Sequence, residues 1–299
     1  MHRAIAAWLN ERSWHAGVAC AVCGVMAPQM PLPFLILAGA IPALIVLSKD
    51  GRLGVALAAT ASVAAASVIL PMAEPATWTL VGIVAIVFSA TILASIWRRT
   101  GSPNLCFQVA ILATALALVL VYAVLPDPTA VWVERLTQLM HSMAEAGLSV
   151  KGDVNVLVQL WARTMWGALA AMTLGAILAS LFLGRWWHSL LHSPGAFGAE
   201  YRQLRLGRVL GIGATILFIL ALSLESELVD SLAWVGLAGL AFQGLAAAHR
   251  GKAVGRLNRG WLAAIYVLLL MPLSTSITVF VLAIWGFTDN WLQPRRAGS

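Results

Sequence analysis

Nine long runs of apolar residues constrain the fold of this 299-residue chain more than any other feature. The runs cover residues 16–30, 33–48, 53–72, 76–97, 105–125, 158–184, 207–224, 229–248 and 261–288. A helix rises about 1.5 Å per residue, so about 20 apolar residues cross a hydrocarbon core about 30 Å thick. Only 10% of the residues are charged, far below the level of soluble domains. We therefore predict an all-α polytopic transmembrane helical bundle, a single integral membrane domain over residues 1–299 with no soluble domain.

The last apolar run leaves the number of membrane segments open at nine or ten. As a single helix it would extend about 40 Å, and Pro272 interrupts it by removing a backbone hydrogen-bond donor. One kinked span would leave Arg295 and Arg296 outside the cell, whereas two short segments would return them to the cytoplasm. The second alternative requires the polar run 274–276 to turn within the membrane. The predicted bundle thus has nine or ten segments, two of them short or broken by proline.

Basic residues cluster on alternate loops and predict the orientation of the bundle. The loops 1–14, 49–52, 97–104, 185–208 and 249–260 hold 14 Lys or Arg residues against three acids. The opposite loops hold two basic residues and eight acids. Because cytoplasmic loops of membrane proteins are enriched in Lys and Arg, we expect a bacterial inner-membrane protein with a cytoplasmic N-terminus. The net charge of +7 lies on these loops, so membrane lipids are the expected partners and nucleic acid is not.

Residues 130–147 predict an amphipathic helix that does not cross the membrane. Its apolar side chains recur at helical spacing, and they are Trp132, Leu136, Leu139, Met140 and Met143. Glu134 and Glu145 belong to the opposite, polar face. We expect this helix to lie on the outer membrane surface or to cap the bundle.

No sequence motif indicates catalysis. Cys20 and Cys23 form a C-x-x-C, but both lie in an apolar run without a second Cys or His pair nearby, which favours helix packing over zinc or redox chemistry. No nucleophile elbow, zinc-protease motif, P-loop or dinucleotide-binding motif is present in the required context. We therefore predict that the protein is not an enzyme and has no catalytic residue, metal or cofactor.

Arg163, just inside the outer end of the sixth run, is the main candidate for substrate binding. Its charge must either reach the outer headgroups or face the bundle interior. The acids predicted at the same depth are Glu225, Glu227 and Asp230. Further polar groups within the membrane are Gln243, Ser274, Thr275 and Ser276, the last three beside the break at Pro272. We predict that Arg163, the acids and the hydroxyls line one cavity between the sixth run, loop 225–230 and the break, and that Gln243 is a further candidate for lining a substrate cavity.

Two features are candidates for docking a partner. Ala16, Cys20 and Gly24 form a ladder of small residues that would let helix backbones approach closely, either within the bundle or against another subunit. The second feature is a basic cytoplasmic segment that would bind anionic headgroups or a partner protein. Its arginines are Arg202, Arg205 and Arg208.

Four strings along the chain resemble a known family. They are PLPFLILAGAIPALIVLSKDGRLG at 31–54, EYRQLRLGR at 200–208, QGLAAAH at 243–249 and GFTDNWLQPRR at 286–296. Together they resemble the YybS-like bacterial membrane proteins, which are distantly similar to the substrate-binding subunits of energy-coupling-factor transporters. The resemblance implies a transporter-like fold and docking on an energising membrane protein through a small-residue ladder, here the ladder at residues 16–24.

Two functions from different classes follow as hypotheses. The leading one is a transporter-like protein that binds or moves a small molecule or lipid without chemistry of its own. The alternative is a membrane structural or assembly factor that recruits partner proteins through its basic cytoplasmic loops. A cavity of several hundred cubic ångströms reached by polar groups would favour the first, since an assembly factor can be packed solid.

Overall fold

The computed structural model describes residues 1–71, 76–148 and 153–292, and this part of the chain is helical with no strand. The thirteen helices in it are α1 (His2–Glu11), α2 (Ser13–Met26), α3 (Pro31–Ser48), α4 (Gly51–Ile69), α5 (Ala76–Thr100), α6 (Pro103–Val124), α7 (Pro128–Glu145), α8 (Val154–His192), α9 (Ala196–Tyr201), α10 (Arg208–Ser223), α11 (Glu227–Ala253), α12 (Arg259–Leu270) and α13 (Pro272–Leu292). Four charged residues that bear on the predicted orientation lie outside the described residues, namely Glu74, Lys151, Arg295 and Arg296.

Five of these helices are long and apolar enough to cross a membrane, namely α4, α5, α6, α8 and α11. The prediction of an all-α membrane protein is confirmed at this level. The apolar helices α2, α3, α10 and α12 occupy other predicted runs but are shorter in the described chain. Their length alone does not establish a membrane crossing.

Helix α8 is the central element of the bundle. It packs against α3, α5, α6, α7 and α11. Buried apolar side chains form one large cluster around α5, α6, α8 and α11 and another around α2, α3 and α4. Both α3 and α8 contribute to each cluster, so they join the two halves of the core.

The two ends of the bundle carry different charges, as the loop pattern predicts. At one end Arg98 donates to the Val46 carbonyl at 2.9 Å, and His2 packs on Trp186, which brings α1, α3, α5 and α8 together. We call this the basic end; it includes loops 193–207 and 254–258. At the opposite end Tyr122 and Ser231 share a hydrogen bond of 2.9 Å. We call this the acidic end.

Helix α7 forms a helical hairpin with the first turns of α8 at the acidic end. The indole N–H of Trp166 donates to the Pro128 carbonyl at 2.8 Å, which fixes the open end of the hairpin. Leu136 and Met140 of α7 form a small apolar cluster with residues 158 and 162 of α8. The apolar stripe of the predicted amphipathic segment therefore packs mainly on α8.

The last predicted run breaks into two helices at Met271, whose backbone is extended. Helix α12 follows loop 254–258 at the basic end. Near the other end of the pair, Asn290 of α13 donates to the Gly207 carbonyl at 3.2 Å. Helices α12 and α13 therefore leave the basic end and return to it.

Candidate functional site

A cavity of about 520 Å³ lies at the basic end, between α8, α9, α11 and α12. Five aromatic side chains line it along α8, α9 and α11, namely Phe182, Trp186, Phe197, Tyr201 and Phe242. We call it the aromatic cavity. Its size is within the range of small-molecule binding sites in proteins, which are typically apolar with a few convergent polar groups.

The short helix α9 closes one side of the aromatic cavity. Gly195 has a φ of +90°, a conformation that glycine adopts without strain, and it turns the chain back after α8. This turn brings Phe197 and Tyr201 within 6.0 and 5.4 Å of Phe182, measured between ring centroids. The aromatic wall therefore depends on packing between α9 and α8.

Three polar side chains meet in one corner of the aromatic cavity. The Nε2 atom of His249 on α11 lies 2.8 Å from the Tyr266 hydroxyl on α12. The ring of Tyr201 packs edge to face on His249 at 5.4 Å. Burial raises the pKa of Tyr201, so its hydroxyl stays protonated, and it makes no hydrogen bond within the described part of the chain. This corner offers donors and acceptors to a ligand inside an otherwise apolar site.

One cationic side chain, that of Arg202, lies at the rim of the aromatic cavity. A Cβ atom added at Gly198, which lines the cavity, would lie 3.3 Å from Nη1 of Arg202. The Arg202 carbonyl accepts a hydrogen bond from Arg250 at 2.6 Å. A cationic rim favours anionic or neutral ligands over cations because like charges repel.

Gln243 lies behind the aromatic cavity and serves the fold. It is fully buried, and its amide oxygen accepts from the Leu206 N–H at 2.8 Å while its nitrogen donates to Asp289 at 3.3 Å. Gln108 donates to the Leu206 carbonyl at 2.9 Å, and Asn104 accepts from the Arg205 N–H at 2.9 Å. Loop 202–207 is thus held by side chains of α6 and α11, and Gln243 does not line the aromatic cavity.

The predicted pairing of Arg163 with an acid is present, and it lies at the protein surface. Arg163 Nε lies 3.8 Å from Glu227 Oε1, and 67% of the arginine side chain is exposed. Glu227 also accepts a hydrogen bond from Thr129. Asp230 is partly buried and Glu225 is exposed. Neither this pair nor its neighbours line the aromatic cavity.

The hydroxyls beside the Pro272 break satisfy their own backbone. Ser274 donates to the Leu268 carbonyl at 2.8 Å, and Thr275 donates to the Leu269 carbonyl at 3.0 Å. Ser276 is exposed. The break frees these carbonyls, and the hydroxyls replace the lost backbone donors.

The structure therefore separates the residues predicted to share one cavity. Glu227 and Gln243 stand on one helix 16 positions apart, which is about 24 Å along its axis. Glu227 pairs with Arg163 at the acidic end, and Gln243 bonds loop 202–207. Ser274 and Thr275 donate to carbonyls at the end of α12. These residues do not meet in one cavity in this structure, because equal depth in the sequence does not place side chains on facing surfaces.

The docking candidates have different positions. Ala16, Cys20 and Gly24 are buried, and a Cβ atom at Gly24 would overlap the carbonyl of Ala61 on α4. The ladder is therefore packing inside the bundle, the alternative given above, and does not present a surface to a partner. Arg208 is exposed, whereas Arg202 lies at the rim of the aromatic cavity.

Sequence reasoning missed the aromatic cavity. Its wall comes from four helices, and each aromatic residue alone fits an apolar run. The one available signal was the spacing of Phe197 and Tyr201, four residues apart in a segment that carries several basic residues.

Comparisons with protein-family models, with curated proteins and with solved structures find no match to this chain. The family resemblance stays a prediction, and a functional proposal has to rest on the geometry of the site.

Proposed function

We propose that this membrane protein binds an amphipathic small molecule in the aromatic cavity and catalyses no reaction on it. The ligand has an apolar body that contains rings and a neutral or anionic polar group. The observation that carries the proposal is a cavity of about 520 Å³ whose aromatic wall surrounds one polar corner. Aromatic side chains bury large apolar area and stack on rings, while the corner orients the polar group.

The proposal includes an orientation in a bacterial inner membrane. The basic end lies in the cytoplasm, as the distribution of Lys and Arg predicts. Helices α2 to α6, α8, α10 and α11 alternate between the two ends, and α12 with α13 leaves and returns to the basic end. This supports the ten-segment alternative, in which the last two segments are short.

Helix α12 is the element that admits the ligand. Only Leu262 of this helix is buried, whereas α8 and α11 each bury many residues. Tyr266 closes the cavity from this helix through its hydrogen bond to His249, and its side chain is exposed on the other side. A helix held by so few buried contacts opens at low free-energy cost.

Native mass spectrometry in mild detergent tests the proposal, first by searching for a co-purified small molecule. The added probe is 2-naphthoate, an anionic two-ring compound. We expect one saturable site, and we expect the variant Ala179→Leu to weaken binding at least about tenfold because its side chain fills the aromatic cavity. Ala171→Leu is the matched control, since Ala171 stands on the same helix and lines neither this cavity nor the one described below.

Equal binding of 2-naphthoate by Ala179→Leu and Ala171→Leu would place any bound probe elsewhere. Absence of both a co-purified molecule and saturable binding would contradict the proposal. A stoichiometric co-purified protein in place of a small molecule would support the alternative of an assembly factor.

A further inference from the structure

A second cavity of about 370 Å³ lies between α5, α6 and α8. We call it the slot. It begins beside Trp78 and Trp166 at the acidic end and reaches Leu93 on α5 and Ile177 on α8. The distance from residue 166 to residue 177 along α8 is about 16 Å. The slot is therefore long and narrow, and it runs along the helices rather than across them.

Small residues on all three helices create the slot. They include Gly82, Ala85, Ala113, Ala117 and Ala170. The flanking side chains of Val81, Ile92 and Leu169 also line the slot and are exposed on the surface of the bundle. The slot thus opens sideways among apolar residues, where hydrocarbon surrounds a membrane protein. One leaflet of a bilayer has a hydrocarbon depth of about 15 Å, which is close to the length of the slot.

A cation is fixed at the acidic end of the slot. The guanidinium carbon of Arg135 lies 5.9 Å from the ring centroid of Trp78 and 5.7 Å from that of Trp132. Trp132 packs in turn on Trp166 at 5.6 Å, and both Trp78 and Trp166 line the slot. Across the described ranges Arg135 forms no ion pair with a carboxylate. The tryptophan rings hold the charge of Arg135 beside the acidic end of the slot.

We propose that the slot binds one hydrocarbon chain of an anionic phospholipid, whose phosphate contacts Arg135. The slot supplies the shape and apolar wall for the chain, and the arginine supplies the charge for the headgroup. The aromatic cavity takes no part, since it lies further along α8, beginning at Ala179, and shares no lining residue with the slot.

The test is native mass spectrometry of the detergent-solubilised protein titrated with phosphatidylglycerol or phosphatidylcholine of identical chains. We expect one tightly held lipid, with phosphatidylglycerol favoured about fivefold. Ala170→Leu fills the slot and should weaken retention of both lipids about tenfold. Ala113→Leu fills it from α6 and tests the same point should the first variant fold poorly. Arg135→Gln should abolish the preference for phosphatidylglycerol while phosphatidylcholine is still retained.

Two control variants and one control lipid separate this site from general lipid adhesion. Ala171→Leu adds the same bulk outside the slot, and Arg163→Gln removes an exposed charge at the same end. Both should retain lipid as the unaltered protein does. Dihexanoyl phosphatidylglycerol, whose chains are too short to fill the slot, should not be retained. The proposal is overturned if both slot-filling variants retain lipid fully, if the preference survives Arg135→Gln, or if Arg163→Gln removes the preference equally.

Discussion

The basic and acidic ends of this bundle are held together by different interactions. At the basic end, the amide side chains of α6 and α11 and the guanidinium of Arg250 bond backbone groups of loop 202–207, and both Gln243 and Arg250 also bond Asp289 of α13. At the acidic end, tryptophan rings and half-exposed hydroxyls and ions dominate. Buried polar networks fix one geometry because each unmade hydrogen bond is costly, whereas aromatic contacts tolerate small displacements. The basic end is thus the more rigid frame, and the aromatic cavity lies beside it.

The largest effect is expected where α11 and α13 cross at the basic end. A Cβ atom at Gly244 would overlap the Leu282 carbonyl, so Gly244→Ala should lower the free energy of unfolding by about 3 kcal/mol. Gly213→Ala is the control, because nothing lies within 4 Å of its Cβ position and alanine favours helix by up to about 1 kcal/mol. Denaturant unfolding in detergent, followed by tryptophan fluorescence, gives both values. Equal stability of the two variants would show that α11 and α13 are far enough apart at the crossing to accommodate a methyl group.

A second comparison removes one hydrogen-bonding group from each end. Gln243→Leu leaves the Leu206 N–H without its acceptor inside the core and should cost about 2 to 3 kcal/mol. Tyr122→Phe removes the bond to Ser231 in a half-buried place and should cost about 1 kcal/mol. The same unfolding measurement applies. A larger loss from Tyr122→Phe would reverse the proposed difference between the ends.

The ion pairs of the two ends should also differ. Asp289 is buried and pairs with Arg250, so Asp289→Asn should lower stability by about 2 kcal/mol. Arg163→Gln breaks the exposed pair with Glu227 and should change stability by less than about 1 kcal/mol. The small loss should vanish in 1 M salt and the larger one should persist. A strong salt dependence of the Asp289→Asn effect would show that this pair is open to water.

The smallest effect concerns local opening, measured by hydrogen exchange of the unaltered protein. The amides of Arg205 and Leu206 lie in a loop but donate to Asn104 and Gln243. They should therefore exchange more slowly than amides of the mostly exposed loop 254–258 at the same end. Faster exchange at Leu206 than in loop 254–258 would remove the argument that loop 202–207 is a fixed frame.

The fold class followed from the sequence because long apolar runs permit few structures in a membrane. The sorting of charges onto two ends also followed from the sequence, because successive loops between spanning runs lie at alternate ends of a bundle. The break at Pro272 was predicted as one of two alternatives, since proline lacks a backbone hydrogen-bond donor in any fold. Pairing across helices was not accessible from the sequence. The ladder at residues 16–24 is compatible with a docking face and with the more common internal packing, and only the position of α4 decides between them. The aromatic cavity was missed because helices distant in sequence create it.

The length of α8 has a mechanical consequence. One continuous helix of 39 residues forms a wall of the aromatic cavity, a wall of the slot and one arm of the α7 hairpin. Because both cavities share this helix, a ligand that displaced α8 at one cavity would also displace a wall of the other. The free energy of such a linkage would be the same whichever ligand binds first.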